Sequence, residues 1–309
     1  MSKELSKFGD DAMYESRPML RNSEGHVEPR VFLLSATSDP LGAIAAAMRM
    51  FRGDPPYRLA DVTDEERRWA WEESIKGHLK APWEMVDFQF MLEGVTRAFT
   101  HQLVRQRTAV YAQESLRFAV KEGFSDEVPM PISVQGDEQA EAFWKQSIKA
   151  TEKGYDALVN MGVPAEDARG LLPHAVTTRV IYKTTLRGLL EHAGNRLCTQ
   201  AQFEWRAVFL GIIKAIRTYG DWQFELIAKP IPETFAPVCY QKGRCPFMSE
   251  LDRGCAIRSR VEAFHAAGIE PRFWHASSTE YKGHSTINPL EWLANPRAGV
   301  TDPGNRRPE

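Results

Sequence analysis

The sequence predicts a mixed α/β (α+β) protein, because strand and helix patterns occur in the same chain. The segments "RVFLL", "VDFQFML" and "AVTTRVIYK" are rich in β-branched or aromatic residues, as strands are. Helical spacing or helix-capping residues mark the segments between and after them. With 309 residues, 43% hydrophobic and 26% charged, the chain has ordinary globular composition and enough length for a sizeable core.

The first predicted elements are one strand and two helices. The strand covers residues 30–34, and the helix after it begins where Ser38 or Asp39 can cap the first turn. The second helix begins with a capping box, in which Thr63 and Glu66 each bind a backbone N–H of the other. Both helix starts are therefore predicted from side chains that satisfy free backbone donors.

The centre of the chain combines a strand, a helix and an irregular segment. Four apolar side chains alternate along "VDFQFML" and share one face of a half-buried strand: Val86, Phe88, Phe90 and Leu92. Helical spacing begins at Val95 and continues to Leu103. Residues 108–118 have no regular period, and we predict a loop there.

The second half of the chain is mainly helical. We predict a long polar helix over residues 138–161, followed by a short helix that starts at Pro164. A strand over 175–183 comes next, because β-branched residues are concentrated there. Helices over 185–196 and 201–222 complete the predicted elements.

The two ends of the chain differ in composition from its centre. We predict a polar N-terminal extension over residues 1–29, a central domain over 30–235 and a cysteine-containing C-terminal extension over 236–309. The N-terminus has no apolar stretch typical of a signal peptide, and the longest apolar run, "AVFLGII", is far too short to cross a membrane. We therefore expect a cytoplasmic protein with no membrane partner.

Net charge and motif content argue against several functional classes. The formal net charge is -2, so no overall basic field predicts nucleic acid as a partner. The sequence contains no G-x-G-x-x-G, G-x-x-x-x-G-K-[ST], G-x-S-x-G or H-E-x-x-H motif. An enzyme with this sequence is therefore expected to rely on a cofactor held in an unusual site.

Four cysteines leave the question of a metal open. Cys198, Cys239, Cys245 and Cys255 supply enough thiols for a zinc site, although no C-x-x-C pair is present. Ordinary buried or free thiols are the alternative. The sequence does not decide between these two interpretations.

The segment "RQRTAVYAQESLRF" is the strongest candidate for a binding site. It carries three arginines, Arg105, Arg107 and Arg117, next to apolar stretches on both sides. Gln113 and Ser115 add neutral hydrogen-bonding groups, and arginine forks beside a hydroxyl are well suited to phosphate. The alternative is that the arginines lie on the solvated face of a helix.

The spacing of these residues resembles a known signature. Arg105 and Arg107 are followed by seven residues and then Ser115, and Arg117 comes two residues later. This pattern is similar to the R-H-R-x7-S signature of the flavin-dependent thymidylate synthases.

Three further segments resemble the same family, in the correct order. "KGHLKAPWEMVDFQF" looks like its H-x-x-P-x-E-H stretch, through His78, Pro82 and Glu84, with one additional residue between His78 and Pro82. "GVPAEDARGLLP" resembles the segment with a nucleotide-binding arginine, here Arg169. "TTLRGLLEHAGNRLCTQAQFEWR" is similar to the family's helix and turn that end in A-Q-[WF]-E. Together the four segments span roughly residues 35–230.

The resemblance implies a fold, a cofactor and a reaction. The implied fold is mixed α/β, with a mixed sheet and helices over residues 30–235, in a homotetramer whose active sites draw on several subunits. FAD is the implied cofactor, dUMP the substrate, methylenetetrahydrofolate the carbon donor and NADPH the reductant. The implied dUMP-binding residues are Gln102, Arg105, Gln113, Ser115, Arg117, Arg169 and Arg196. The implied cofactor-binding residues are His78, Arg105, Gln106, Arg107, Gln113, Thr185, Arg187 and Glu191.

The resemblance also implies how the chemistry is shared. In this family no cysteine or serine of the enzyme needs to attack the uracil ring. Arg196 matches an arginine beside the N3–O2 edge of uracil, where a fixed positive charge favours the ionised ring. Arg196 is therefore the predicted catalytic residue, and Ser115 is predicted to bind rather than to act as a nucleophile.

The sequence departs from the family pattern at several positions. Gln106 replaces the middle histidine of R-H-R, and Gln113 replaces a glutamate. Phe118 replaces a tyrosine, Glu191 an asparagine and Gln200 a histidine. Glutamine can still form hydrogen bonds, but it does not gain or lose a proton near neutral pH. These changes are therefore expected to affect proton transfer more than ligand binding.

Three alternatives to thymidylate synthesis follow from these departures and from the arginines. The first is a flavin-dependent hydroxymethylase of dUMP, in which water intercepts the one-carbon unit. The second is a relative that binds nucleotide without turnover. The third is a nucleic-acid-binding module that uses the same arginines, which the net charge of -2 disfavours.

Overall fold

The structure is a computed structural model, and it describes residues 14–15, 27–131, 134–198, 201–229 and 234–239. The strands are β1 (Tyr14–Glu15), β2 (Arg30–Ala36), β3 (Asp87–Thr96), β4 (Val110–Gln113), β5 (Ala119–Val120) and β6 (Thr177–Thr185). The helices are α1 (Pro40–Phe51), α2 (Asp64–Lys76), α3 (Arg97–Leu103), α4 (Glu138–Asn160), α5 (Ala165–Ala168), α6 (Leu186–Arg196), α7 (Glu204–Arg217) and α8 (Trp222–Ile227). Among the described residues, no helix combines the length and the apolar character that a membrane crossing requires.

The main sheet has four antiparallel strands in the order β2-β3-β6-β4. Two hydrogen bonds fix the direction of β3 against β6: Leu186 N donates to Val86 O at one end, and Arg97 N donates to Val176 O at the other. Parallel pairing within the described residues is limited to a separate two-stranded sheet of β1 and β5. The mixed α/β class is confirmed, whereas the predicted mixed sheet is replaced by two small sheets of different kinds.

The predicted helix starts are confirmed in detail. Asp39 caps α1 by accepting from Gly42 N at 2.9 Å. Thr63 and Glu66 form the capping box of α2, with distances of 3.2 and 2.8 Å. Short polar side chains before the first turn therefore set where these helices begin.

Strand β3 follows the predicted alternation and then departs from it. The four alternating apolar residues are all fully buried, as predicted: Val86 directly before the strand, and Phe88, Phe90 and Leu92 within it. Beyond them the prediction of helix from Val95 was wrong, because β3 continues to Thr96. Gly94 has φ +70°, and a Cβ there would lie 2.7 Å from Glu28 O, so glycine is required where the strand passes this backbone.

Two other predicted elements are corrected. Residues 110–113 form strand β4 instead of loop, because Glu114 N donates to Arg179 O on the neighbouring strand. The single helix predicted over 201–222 is two helices, α7 and α8, and α8 has its own cap where Asp221 accepts from Gln223 N.

The chain divides into two compact units, and β3 and β6 each contribute residues to both. The first unit contains residues 1–30, 92–103 and 111–181, and the second contains the remainder. The core of the first unit packs α4 against the segment after β4, with Phe124 and Tyr155 edge to face at 6.0 Å. The division into extensions and a central domain at residues 29/30 and 235/236 stays a prediction.

The second unit has a core of larger side chains. Leu41 and Ile44 of α1 are fully buried, as are Leu186 and Leu189 of α6. Aromatic residues fill the rest of this core, among them Trp71, Trp83, Phe88, Phe90, Trp205 and Phe209. Rigid aromatic packing of this kind holds the start of α6 in one place, and α6 carries several predicted site residues.

Candidate active site

In the first unit, four of the predicted nucleotide-binding residues lie on α3, β4 and the turn after β4, and Arg169 directly follows α5. Gln113, at the end of β4, donates its Nε2 proton to Thr100 Oγ1 of α3 at 2.9 Å. Gln102 is two residues further along α3 and is partly buried. Ser115 Oγ accepts from Arg117 N at 3.3 Å, which closes the turn. The hydroxyl therefore shapes the loop that presents Arg117.

Two predicted arginines of the first unit meet the same residue. Arg117 Nε donates to Glu166 Oε2 at 3.1 Å, and Arg169 Nε donates to the backbone oxygen of Glu166 at 3.0 Å. Both arginines are exposed, and the Arg117–Glu166 ion pair is about half exposed on each side. An exposed pair of this kind is weak, so a phosphate can compete with Glu166 for Arg117.

A third arginine in this unit was missed by the sequence reasoning. Arg97 opens α3 and is partly buried, and its guanidinium makes no hydrogen bond within the described residues. Burial, and then the positive charge of Arg169, lower the pKa of the Arg97 guanidinium, whereas Glu114 raises it. Positive charge is therefore concentrated here. The signal available in the sequence is an arginine at the start of a helix that carries Gln102, a predicted nucleotide-binding residue.

A buried ion network supports the same loop. Lys121 Nζ lies 3.0 Å from Glu114 Oε2, and both side chains are nearly buried. Arg179 Nε donates to Glu93 Oε1 at 2.8 Å and lies 3.7 Å from Glu114 through Nη1. The network ties the segment between Gln113 and Lys121 to β6, so it holds the turn that carries Ser115 and Arg117.

In the second unit, the R-x-R segment presents its two arginines to solvent. Arg105 and Arg107 are exposed, and neither side chain has an ion pair or hydrogen bond within the described part of the chain. Gln106, between them, faces the protein. It donates to Thr184 Oγ1 at 3.1 Å and to Gly188 O at 3.0 Å, and it accepts from Tyr182 Oη at 2.6 Å.

The start of α6 brings together three other predicted cofactor-binding residues. Thr185 caps the helix by accepting from Gly188 N at 3.2 Å. Arg187 lies between two carboxylates, with Nε 2.8 Å from Glu191 Oε1 and Nη1 2.6 Å from Glu84 Oε1. His78, the remaining member of the set in this unit, is exposed.

The predicted catalytic residue, Arg196, lies at the end of α6 against an aromatic cluster. Its Nε donates to His192 Nε2 at 3.3 Å, and its guanidinium lies 4.7 Å from the centre of the Trp205 ring. The His192 ring is in turn 4.7 Å from that of Trp205. Burial, and then Arg196, lower the pKa of His192 to about 3, so the imidazole is neutral near pH 7.

Sequence reasoning also missed His192. The available signal was its spacing of four residues from Arg196 on a predicted helix, which places both side chains on one face. A neutral imidazole that accepts from a guanidinium orients it without cancelling its charge. His192 and Trp205 therefore orient the Arg196 guanidinium in a partly buried position without cancelling its charge.

The candidate zinc ligands, whose role the sequence left open, are only partly covered by the structure. Cys198 and Cys239 are described, whereas Cys245, Cys255 and the variant position Gln200 lie outside the described residues. No group of three or more histidine, cysteine, aspartate or glutamate residues suited to a metal ion occurs in the part of the chain that the structure describes.

The structure thus sorts the predicted residues into two sets. Five of the nucleotide-binding residues belong to the first unit: Gln102, Gln113, Ser115, Arg117 and Arg169. Arg105, Arg196 and all the cofactor-binding residues except Gln113 belong to the second unit. Exposed arginines beside hydroxyl and amide groups are an arrangement suited to anions such as phosphates, here in a protein of the α/β class.

Comparison with known proteins identifies the class more closely. The family described as "Thymidylate synthase complementing protein" matches residues 32–219. The flavin-dependent thymidylate synthase of Pyrococcus furiosus is 35% identical over 244 residues, which cover 75% of this chain and 95% of the relative. The corresponding protein of Pyrococcus abyssi is 31% identical, with the same coverage. The chain therefore belongs to the thymidylate synthase complementing protein family.

A solved structure supports the fold. Thymidylate synthase X (ThyX) from Helicobacter pylori, determined with FAD and dUMP, matches with a TM-score of 0.50 and 17% sequence identity. The match covers 65% of this chain and all of that one. At this low sequence identity, the match shows a similar fold and nothing more specific.

Proposed function

We propose that this protein is an FAD-dependent thymidylate synthase, which converts dUMP to dTMP. One observation carries the proposal. This chain belongs to the family and contains the R-x-R-x7-S segment, in which exposed arginines lie near a loop shaped by the Ser115 hydroxyl. Relatives named flavin-dependent thymidylate synthase, similar over three quarters of the chain, support it.

The proposed dUMP-binding residues are those predicted from the sequence: Gln102, Arg105, Gln113, Ser115, Arg117, Arg169 and Arg196. Arg117 and Arg169 would bind the phosphate, because both are exposed and their contacts with Glu166 lie at the surface. Gln113 is held by Thr100 and can still offer its amide oxygen. Ser115 supplies a hydroxyl on a loop that its own hydrogen bond shapes.

The residues present fit a flavin dinucleotide through their donors. Arg105 and Arg107 are exposed cations without ion pairs in the described residues, which suits a pyrophosphate. Thr185, Arg187 and Glu191 at the start of α6, with His78, Gln106 and Gln113, complete the proposed set. When bound and reduced, FAD supplies the hydride that completes the methyl group.

Arg196 is the proposed catalytic residue. Its charge is held by contact with a neutral histidine and an aromatic face, neither of which neutralises it. Such a preorganised cation favours the uracil ring that has lost its N3 proton, and so raises electron density at C5. Cytosine has no N3 proton to lose, so the same arginine selects dUMP over dCMP.

The proposal extends to the co-substrates, the assembly and the location. We assign methylenetetrahydrofolate as carbon donor, NADPH as reductant and a homotetramer, in which residues of one site need not come from one chain. The protein is proposed to act in the cytoplasm. Hydroxymethylation of dUMP is the second candidate, because Gln106 and Gln113 cannot exchange protons as the family's histidine and glutamate can.

The first test is spectroscopic. Purified protein is expected to be yellow, with a flavin absorption spectrum that NADPH bleaches and air restores. Titration with dUMP is expected to perturb that spectrum, and titration with dCMP is not. A colourless protein that binds no added FAD would refute the proposed function.

A further inference from the structure

Gln106 is the exception within the segment Arg105–Thr108. The other three side chains of this segment are exposed, and Gln106 alone is partly buried. The segment links α3 to β4 and has no regular secondary structure of its own. Side-chain contacts must therefore decide how it is held.

The Gln106 amide makes three hydrogen bonds to residues more than 70 positions away in sequence. Its Nε2 donates to Thr184 Oγ1 at 3.1 Å and to Gly188 O at 3.0 Å, so both amide protons are used. Its Oε1 accepts from Tyr182 Oη at 2.6 Å. Tyr182 and Thr184 are buried residues of β6, so the partners are fixed.

Gly188 makes this approach possible. A Cβ at position 188 would lie 3.0 Å from Gln106 Nε2 and 2.7 Å from Thr184 Oγ1. An alanine at 188 would thus push on the amide and on one of its partners. The lack of a side chain at 188 leaves the carbonyl open to Gln106.

We infer that Gln106 is a positioning residue for cofactor binding. Its three hydrogen bonds clamp the segment Arg105–Thr108 to β6 and α6, and the clamp holds Arg105 and Arg107 pointing outward, ready for the pyrophosphate of FAD. Gln106 thus belongs to the proposed cofactor-binding set as a residue that acts through the two arginines, because its amide is bound to protein partners and does not touch the cofactor. Because FAD is the proposed ligand, this role rests on the proposed function.

The choice of glutamine follows from the partners. The clamp needs two donors and one acceptor from a single side chain. Neutral imidazole offers one of each, and imidazolium offers two donors and no acceptor. The histidine found at this place in related proteins would therefore leave one partner unsatisfied here, whereas an amide satisfies all three.

The test is a double-mutant cycle on FAD affinity, measured by fluorescence titration of flavin-free protein. Gln106→Met keeps the length of the side chain and removes the hydrogen bonds. It is expected to raise the dissociation constant for FAD roughly tenfold, because the arginines lose their preorganisation. Gly188→Ala should also raise the dissociation constant for FAD, because its Cβ would push on the Gln106 amide. Gly154→Ala is the matched control, because its Cβ would meet only Leu171 Cδ1 at 3.4 Å.

The deciding comparison uses a background that carries both Arg105→Ala and Arg107→Ala. There Gln106→Met is expected to change the dissociation constant less than about twofold, since the groups it positions are gone. A loss in that background as large as in the wild type would overturn the inference, because the amide would then contact FAD itself. So would an unchanged affinity in Gln106→Met with both arginines present.

Two further measurements keep the outcomes distinct. If Gln106→Met does not fold, Tyr182→Phe removes one hydrogen bond of the three and should weaken FAD binding about threefold in the wild-type background. No change in FAD affinity in Tyr182→Phe would then count against the clamp. If the wild-type protein binds no FAD, the proposed function is refuted. If the wild type binds FAD but Gln106→Met weakens binding equally with and without the two arginines, only the role of Gln106 is refuted.

Discussion

The Nε of Arg196 donates to the Nε2 of His192 at 3.3 Å, at the end of α6 where both side chains face Trp205. This contact requires an unprotonated Nε2, and burial enforces it by lowering the pKa of His192 to about 3. This contact therefore orients Arg196 without cancelling its charge, as its proposed role at the uracil ring requires.

The histidine predicts how stability depends on pH. An unfolded histidine has a pKa of about 6.5, so the folded value is depressed and protonation favours unfolding. Its contribution is fully present above pH 6.5 and is lost as the pH falls toward 3. Between pH 7.5 and pH 5, the free energy of unfolding of the wild type should drop about 1–2 kcal/mol more than that of His192→Phe, measured by urea denaturation.

The exposed His174 provides the control for this experiment. His174→Asn removes an exposed imidazole and leaves the contact between His192 and Arg196 intact, so it should retain the loss of stability at low pH that His192→Phe lacks. If His192→Phe also follows the wild type between pH 7.5 and pH 5, then His192 is not held neutral by the fold, and its role as an acceptor for Arg196 is wrong.

The arginines at Glu166 predict where the nucleotide binds. Arg117→Ala and Arg169→Ala should each weaken dUMP binding by about 1.5–3 kcal/mol, because each removes charge-assisted hydrogen bonds. Arg58→Ala is the control, since Arg58 is an exposed arginine with one ion pair on the second unit. Calorimetry that finds unchanged dUMP affinity in both site variants would remove them from the site.

The buried ion network predicts a large effect on stability. Lys121→Met leaves Glu114 buried without its closest cation, and Arg179 is 3.7 Å away. The free energy of unfolding should fall by about 2–4 kcal/mol. Lys145→Met, which breaks an exposed pair with Glu141 on α4, should change it by less than about 0.5 kcal/mol. Equal effects of the two variants in denaturant titrations would show that the network is not a structural anchor.

The departure from the family pattern at Glu191 predicts a substitution that strengthens FAD binding. Glu191 binds Arg187 across 2.8 Å and so competes with any anionic ligand of that arginine. Glu191→Asn, which restores the residue usual in the family, should strengthen FAD binding about two- to fivefold. Glu73→Asn makes the same change of charge at an exposed pair on α2 and should leave the affinity unchanged. Glu191 thus belongs to the proposed cofactor-binding set through its ion pair with Arg187. Weaker FAD binding in Glu191→Asn would contradict this and would mean that Glu191 contacts the cofactor directly.

The local parts of this fold were predictable because their causes are local. Asp39, Thr63 and Glu66 cap helices through side chains next to the backbone they bind, so spacing alone predicts them. The burial of Phe88 and Phe90 follows from alternation in the same way. Local sequence is sufficient where the interacting groups lie within a few residues.

The rest could not be predicted because its causes are distant in sequence. Strand β4 has no apolar alternation, and it forms because β6 offers it a partner more than 60 residues later. Gln106 looked like a cofactor ligand by position, and only the fold shows its amide bound to Tyr182 and Gly188. Which member of a motif faces outward depends on tertiary contacts, and these carry no signal in the motif itself.

The most direct test of the account is the identity of the product. Purified protein is incubated with FAD, NADPH, methylenetetrahydrofolate and either dUMP or dCMP, and the nucleotides are analysed by mass spectrometry. The account predicts thymidylate from dUMP and unmodified dCMP, with no product from an Arg196→Ala variant that still binds FAD. Modified dCMP beside untouched dUMP would contradict the role of Arg196, and hydroxymethyl-dUMP as the main product would replace the synthase with the hydroxymethylase.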